Sequence, residues 1–245
     1  MQVYRSPLKT TPNPEFNPFL EAPRAGEADH PADNGGAICS PRAIRRCHLA
    51  IKRSIDILGA GLLLISLSPL FLFLSLVIKL GSPGKILYRW KVVGQGGRPF
   101  TSYKFRSMVE NADDLKAALV AANEMTGPVF KITGDPRVTR TGRWMRRYSL
   151  DELPQLYSVL KGEMSLVGPR PPLATEYARF TSFQKQKLAI KPGITCLWQV
   201  SGRNRVRDFD DWVRLDLEYI RHWSIALDCR ILLRTVGEVF RGSGK

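Results

Sequence analysis

Histidine is the scarcest functional side chain in this sequence, with three copies at His30, His48 and His222. They lie in segments of different character, without the pairing that zinc sites or histidine acid–base chemistry require. The four cysteines are equally scattered and show no metal-ligand spacing, which predicts reduced thiols in a protein that faces the cytosol. We therefore expect the chemistry to run through carboxylates.

Signatures of nucleic-acid binding are also missing: the sequence has no zinc-finger spacing, no RNA-binding aromatic signature and no clear helix-turn-helix pattern. Yet 37 Lys and Arg residues face 22 Asp and Glu residues, for a net charge of +15. Such an excess indicates anionic partners, and acidic lipids of the inner leaflet and phosphorylated substrates are the predicted ones. Solvated surface charge and positive-inside bias account for part of the excess.

The longest apolar run covers residues 57–78, twenty-two residues without a charged side chain. A straight helix of that length reaches roughly 30 Å, enough to cross a bilayer. Pro69 bends the run directly after Ser68, whose hydroxyl can satisfy a carbonyl that the proline frees. The segments on both sides of the run are equally basic, so the positive-inside rule assigns it no orientation across a membrane. We predict a re-entrant hairpin broken at Ser68-Pro69; a proline-kinked span and a buried core helix are the alternatives.

Composition divides the chain into three parts. Residues 1–41 are proline-rich with few aliphatics, which predicts a disordered tail. Residues 42–80 combine a basic lead-in with the re-entrant membrane helix. The lead-in either binds anionic lipid or is ordinary flanking charge. We predict residues 81–245 to form a cytosolic catalytic domain. The predicted fold class is α+β, with the N-terminal hairpin followed by a mainly helical domain that has a small β-hairpin and amphipathic interfacial helices.

Two β-rich runs in the catalytic domain, over 85–93 and 100–105, flank a glycine-rich loop and predict the β-hairpin. The second run continues into the sequence YKFRSM. Its cations Lys104 and Arg106 either contact a substrate phosphate or are solvated.

Helices are predicted over 110–124, 174–188, 208–223 and 225–240 from the spacing of their apolar residues. The last two have broad apolar stripes that include aromatic residues. Such a stripe suits a membrane surface and suits a packed core at least as well.

Five arginines precede the most informative motif: Arg137, Arg140, Arg143, Arg146 and Arg147. Because no acidic residue lies between them, they should repel one another unless an anion binds there. An exposed basic turn and helix is the alternative. Arg170 is fixed between two prolines, which suits phosphate or nucleotide recognition or simply a structural turn. Arg203, in a polar turn, is a further candidate for substrate binding.

The motif itself, SLDELPQLYSVLKG over 149–162, predicts a helix that ends at Gly162. Its cap is either Ser149, in a capping box with Glu152, or Asp151 or its neighbour, which agrees better with a proline in the first turn. Either way two carboxylates lie at the positive end of a helix. They are routine caps, or Asp151 attacks a phosphoryl group while Glu152 and Asp151 hold Mg²⁺.

Taken together and in order, the Ser68-Pro69 break, YKFRSM, SLDELPQL, GEMSLVGPRP and KPGITCLWQVSGR resemble the bacterial sugar transferases, the monotopic phosphoglycosyl transferases. The similarity extends from about Lys52 to Gly242, and the chain resembles the compact form of the family. Glu163 and Cys196 depart from the family pattern, which more often has Asp and Gly there.

This resemblance implies an enzyme at the cytoplasmic face of the bacterial inner membrane that loads hexose 1-phosphate from a UDP-sugar onto undecaprenyl phosphate and releases UMP. Asp151 matches the nucleophile, Glu152 the magnesium-binding acid, Arg146 a phosphate-contacting residue and Arg170 a substrate-binding one. The product would initiate exopolysaccharide or a related glycan. Glucose and galactose are the expected sugars.

Two other classes of protein remain compatible with the residues themselves. In a catalytically silent, membrane-anchored basic binding protein, Asp151 and Glu152 would merely cap a helix. A membrane-tethered nucleic-acid binder is the second. The sequence leaves the oligomeric state open, and a homodimer is one expectation.

Overall fold

The structure, a computed structural model, describes residues 41–202 and 206–244. The predicted disordered tail therefore lies outside the described residues, apart from Pro41. The described α-helices are α1 (Pro41–Ser66), α2 (Ser68–Gly81), α3 (Arg140–Arg147), α4 (Leu156–Lys161), α5 (Ala174–Tyr177), α6 (Ser182–Lys185), α7 (Leu197–Val200), α8 (Phe209–Arg221) and α9 (Ile225–Arg241).

Two small sheets accompany the helices. Strands β1 (Leu87–Val93) and β2 (Pro99–Phe105) form the predicted antiparallel hairpin, in a register that pairs Trp90 with Ser102. Strands β3 (Ser165–Val167) and β4 (Gly193–Thr195) form a parallel pair. The described part of the chain is thus mostly helical with a small β component, as predicted.

The N-terminal helices form one bent pair. Because Pro69 has no N–H, the carbonyl of Ile65 loses its helical donor there, and the Ser68 hydroxyl donates to that carbonyl at 2.8 Å. Within the described residues no single helix is long and apolar enough to cross a membrane. The bent pair Cys47–Ser66 and Ser68–Gly81, at 60°, meets the length and composition requirements together. The bend falls at Leu67, one residue before the predicted Ser68-Pro69 break.

Helix α1 has two environments along its length. Its later turns leave large apolar side chains exposed, among them Leu58, Leu62 and Ile65. Its earlier turns pack against α4 and β3. There Arg53 donates to the carbonyls of Val159 and Leu160 at 2.6 and 2.7 Å, at the end of α4, where helix carbonyls lack intrahelical donors. This cation of the predicted lead-in is therefore used within the protein.

Helix α2 connects the bent pair to the rest of the described chain. Leu74 and Ile78 on its inner face are buried in one cluster with Phe105 of β2 and Met145 of α3. Since β2 and α3 carry candidate site cations, this cluster ties the orientation of α2 to theirs.

A second core lies around α8. Its apolar stripe, including Phe209 and Trp212, is buried, and the Trp212 ring stacks on that of Trp198 at 4.0 Å. The stripe of α8 is therefore core, and the interfacial hypothesis does not apply to it. By contrast α9 leaves Leu233 and Phe240 exposed, at 75% and 82%.

Two predicted helices take other forms. In the region 110–124 a 3₁₀ helix, Asp114–Ala122, buries no residue, so it lacks the packed face that stabilises an α-helix. The single helix predicted over 174–188 is divided into α5, α6 and a 3₁₀ turn. Thr181 and Gln184 form a reciprocal capping box that starts a new helix there.

Gly142 makes the contact between α3 and the end of β2 possible. A Cβ added at this glycine would lie 1.9 Å from the Ser107 carbonyl oxygen, so α3 would have to move. We expect Gly142→Ala to lower the free energy of unfolding by about 1–3 kcal/mol, as overpacking does. Gly237→Ala on α9 is the control, because nothing lies within 4 Å of its added Cβ. Denaturant unfolding checks both, and equal midpoints would refute the packing described.

Candidate active site

The two candidate carboxylates lie at the start of a helix, as predicted. A 3₁₀ helix, Leu150–Gln155, leads into α4, and Asp151 and Glu152 occupy its first turn with 8% and 6% exposure. The helix ends at Gly162, which has a φ of 82° and provides the predicted left-handed C-cap. Both acids are therefore buried side chains and not exposed caps.

Of the predicted caps, Ser149 has the N-cap position without the side-chain bonds of a capping box. The Glu152 amide donates to the Ser149 backbone carbonyl at 3.2 Å instead. The φ of Ser149 is 54°, the only positive value at a non-glycine residue in the described part of the chain. Such a backbone costs about 1–3 kcal/mol and is often found at functional sites. Here it immediately precedes the acid pair.

One oxygen of Glu152 binds two cations. Its Oε1 accepts a hydrogen bond from Lys104 Nζ at 2.7 Å and from Arg170 Nη1 at 3.1 Å. Lys104 is on β2, and Arg170 follows β3 between Pro169 and Pro171. The structure thus brings together three predicted site residues from separate parts of the chain.

Trp90 completes this group, and the sequence analysis missed it. Its ring lies 4.0 Å from Lys104 Nζ and 5.6 Å from Arg170 Cζ, so one indole contacts both cations. In the hairpin register Trp90 faces Ser102, and Lys104 follows two residues later on the same face. The register of the predicted hairpin was the signal that could have identified it.

The electrostatics of the three site cations reflect their burial. Burial lowers the pKa of Lys104 below its usual value, although the charge of Glu152 opposes that shift. Burial alone would also lower the pKa of Arg170, but the charge and hydrogen bond of Glu152 outweigh it, and the pKa is raised. Burial lowers the pKa of Arg146, and the negative charge of Asp151 is the largest opposing effect.

The five arginines before the motif have different environments. Arg146 on α3 donates from Nε to the Ser107 hydroxyl at 2.9 Å. The charge of Asp151 is the largest effect that raises the pKa of Arg146. Arg137 forms a buried ion pair with Asp135 at 2.6 Å, so an acid two residues earlier supplies the expected anion. The other three are exposed: Arg140, Arg143 and Arg147. The five arginines therefore do not form one anion site, and only Arg146 lies with the candidate carboxylates.

The remaining predicted site residues lie elsewhere. Arg106 donates to the backbone carbonyls of Ser82 and Pro83, directly after α2, so it holds the chain where it leaves the bent pair. These contacts give Arg106 a structural role, and its predicted binding of substrate stays a prediction. Arg203 lies outside the described residues. Ser68 and Pro69 begin α2, directly after Leu67, which separates α2 from α1.

Lys187 and Asp216 form a buried ion pair that was not predicted from the sequence. Lys187 Nζ and Asp216 are 2.6 Å apart with side-chain exposures of 2% and 1%. Lys187 Nζ also lies 4.9 Å from the centre of the Trp212 ring. Nearby, burial raises the pKa of Cys196 to about 12, so this thiol is protonated at neutral pH. The cysteine that departs from the family pattern is therefore a neutral core residue.

The acid pair provides carboxylate oxygens of the kind that Mg²⁺ binds in proteins. Among the described residues no group of three or more His, Cys, Asp or Glu side chains could cage a metal. Mg²⁺ does not need such a cage, because one or two carboxylates together with substrate phosphates commonly hold it. Asp151 and Glu152 provide two adjacent carboxylates at one helix start, and Lys104 and Arg170 both contact Glu152.

We expect Glu152→Gln to lower the pKa of Lys104 further. The carboxylate of Glu152 favours the charged ammonium, so neutralising it leaves burial and the repulsion of Arg170 less opposed. Glu163→Gln is the control, because Glu163 pairs with the exposed Lys161. NMR titration of the Lys104 side chain measures the shift. An unchanged pKa in Glu152→Gln would contradict the ion pair.

Comparison with known proteins identifies relatives of this chain. A family model described as bacterial sugar transferase matches residues 47–242. The chain is 49% identical to the galactosyl transferase CpsE of Streptococcus agalactiae over 199 residues, which cover 80% of this chain and 44% of that protein. It is 42% identical to the undecaprenyl-phosphate galactose phosphotransferase of Salmonella typhimurium over 205 residues, with 82% and 42% covered.

A shorter relative matches over nearly its whole length. The exopolysaccharide production protein ExoY of Sinorhizobium fredii is 40% identical over 206 residues, which cover 82% of this chain and 91% of that protein. The chain thus spans less than half of the first two relatives and most of the third. Because the matched region includes α2, both sheets and the acid pair, the chain belongs to the bacterial sugar transferase family.

Proposed function

We propose that this chain transfers hexose 1-phosphate from a UDP-sugar to undecaprenyl phosphate through a covalent intermediate on Asp151. The observation that carries the proposal is the buried acid pair at a helix start, with Lys104 and Arg170 bound to Glu152 and the charge of Arg146 close to Asp151. The names of relatives, which include galactose and glucose phosphotransferases acting on undecaprenyl phosphate, support the same reaction class.

In the first half-reaction a carboxylate oxygen of Asp151 attacks the β-phosphorus of the UDP-sugar. The bond between that phosphorus and the bridging oxygen breaks, and its electron pair leaves on UMP. The product is an acyl phosphate that carries the sugar, and no proton transfer is required. An ionised carboxylate in the first turn of a helix suits this role.

In the second half-reaction a phosphate oxygen of undecaprenyl phosphate attacks the same phosphorus. The acyl phosphate bond breaks and returns its electron pair to the Asp151 carboxylate. The product is a sugar joined to the lipid by a diphosphate, which initiates exopolysaccharide or a related glycan. Because UMP leaves before undecaprenyl phosphate attacks, and the second displacement regenerates the Asp151 carboxylate, the sequence is ping-pong.

The surrounding cations have separate tasks in this scheme. Arg146 places positive charge beside Asp151, where the β-phosphate must approach. Lys104 and Arg170 hold Glu152 and face the same region with donors that suit phosphate oxygens. Asp151 and Glu152 would together hold Mg²⁺, which when bound offsets charge on the substrate phosphates.

The bent pair is proposed to lie in the inner leaflet of the bacterial cytoplasmic membrane with the catalytic domain on the cytoplasmic side. Exposed apolar side chains on α1, α2 and α9 support this placement, among them Leu62, Leu72 and Phe240. The exposed arginines Arg140 and Arg143 of α3 suit anionic headgroups. Such a placement would bring the phosphate of undecaprenyl phosphate close to the site.

We expect Asp151→Asn to reduce UMP release from a UDP-sugar by about 10³-fold or more, because an amide cannot form the acyl phosphate. Asp211→Asn is the matched control: Asp211 is also an acid in the first turn of a helix beside an arginine, but it is exposed on α8. Purified protein with Mg²⁺, undecaprenyl phosphate and a panel of UDP-sugars provides the assay. Full UMP release by Asp151→Asn would contradict the role of Asp151 as nucleophile, and no UMP release by the unsubstituted protein with any UDP-sugar would favour a silent binding protein.

A cysteine introduced at position 45 and one at position 85 should be labelled from the same, cytoplasmic side of the membrane. Both positions flank the bent pair, and a re-entrant hairpin returns to the leaflet it entered. The background would carry Cys39→Ser, Cys47→Ser and Cys229→Ser. Membrane-impermeant maleimide applied to right-side-out and to inverted vesicles reads the result. Labelling of the two positions from opposite sides would establish a kinked span instead.

A further inference from the structure

The outer edge of β3 is held by side chains of α1. Asp56 Oδ1 accepts hydrogen bonds from the Ser165 hydroxyl at 2.9 Å and from the Leu166 amide at 2.8 Å. One helical turn earlier, Lys52 Nζ donates to the carbonyl of Val167 at 3.0 Å. All three residues of the strand are therefore bound from α1, while β4 pairs with the opposite edge.

Asp228 of α9 closes this arrangement. It accepts from Lys52 Nζ at 2.6 Å, from the Tyr219 hydroxyl at 2.6 Å and from Trp223 Nε1 at 3.1 Å. The Tyr219 hydroxyl also lies 3.2 Å from the carbonyl oxygen of Val167. We call Lys52, Asp56, Tyr219 and Asp228 the clamp. Its charged members are mostly buried, so each depends on its partners.

The backbone between the clamp and Arg170 is closely held. Gly168 donates to the Thr195 carbonyl and Gly193 donates to the Pro169 carbonyl, each at 3.0 Å. A Cβ at Gly168 would lie 2.5 Å from the Lys191 carbonyl oxygen, so the backbones pass too closely for any side chain. Arg170 then follows between two prolines. Because this backbone is closely held, a movement of β3 would be transmitted to Arg170.

We propose that Lys52, Asp56 and Asp228 are positioning residues that set the location of Arg170 against Glu152. The clamp joins the first turns of the bent pair to β3, and β3 leads within three residues to the guanidinium that binds Glu152 at 3.1 Å. The position of the bent pair against β3 is thereby coupled to the position of Arg170 in the site. The kinetic part of this inference rests on the proposed function; the structural part does not.

Arg53 supplies a matched comparison. It is the neighbour of Lys52 on α1, has the same charge and also donates to backbone carbonyls, but those carbonyls belong to the end of α4. Replacing either cation with methionine removes one anchor of α1. The inference predicts that Lys52→Met alone disturbs β3 and Arg170.

Hydrogen exchange tests the structural part on the full chain in detergent or nanodiscs. Lys52→Met should accelerate exchange in the segment 165–170, including the Leu166 amide, whereas Arg53→Met should accelerate it near 159–163. If Lys52→Met does not fold, Ser165→Ala deletes a single clamp bond and should accelerate exchange at Leu166. Unchanged exchange across 165–170 in a folded variant overturns the proposal, whether or not the protein turns over UDP-sugars.

A double-mutant cycle tests the kinetic part. Lys52→Met should lower kcat/KM for the UDP-sugar by about tenfold or more, as small misplacements of a site group do, and Arg53→Met by less than about twofold. In the Arg170→Lys background the further loss from Lys52→Met should shrink to about twofold, because the two act as one unit. Equal losses in both backgrounds would show that Lys52 acts independently of Arg170 and would overturn the proposal.

Discussion

The position of one carboxylate oxygen, Oε1 of Glu152, determines much of the site. It lies 2.7 Å from Lys104 Nζ and 3.1 Å from Arg170 Nη1, so it joins the β-hairpin to the end of β3, while Trp90 contacts both cations. Without that oxygen two cations would be held close together in a mostly buried place, which proteins tolerate poorly. The neighbouring Asp151 is presented by the same helical turn, so its orientation follows from that of Glu152.

The strongly basic composition is divided between internal and external uses. Some cations bind backbone carbonyls or buried acids and so hold elements together, as Arg53 does at α4 and Arg137 does with Asp135. Others, such as Arg140 and Arg143, remain exposed beside the helices that we place at the membrane. The net charge of +15 therefore indicates less about partners than its size suggests, because part of it is needed by the fold.

Local signals in the sequence predicted the break at Pro69, the β-hairpin and the helix end at Gly162, because each depends on a few neighbouring residues. The clustering of Lys104, Arg170 and Glu152 was expected in part through family resemblance. Trp90 and the buried pair of Lys187 and Asp216 were not predicted, because their roles depend on contacts between distant segments. The apolar stripe of α8 suited a core or a membrane surface, and tertiary packing decided for the core.

Mass spectrometry of the protein after a brief incubation with UDP-sugar and Mg²⁺, without lipid acceptor, tests the central claim most directly. Trypsin releases Asp151 in the peptide 148–161, since no Lys or Arg lies between Arg147 and Lys161. The account predicts a hexose phosphate on that peptide, located at Asp151, sensitive to hydroxylamine and lost when undecaprenyl phosphate is added. Vigorous turnover in the complete assay with no such adduct, or an adduct on another side chain, would contradict it.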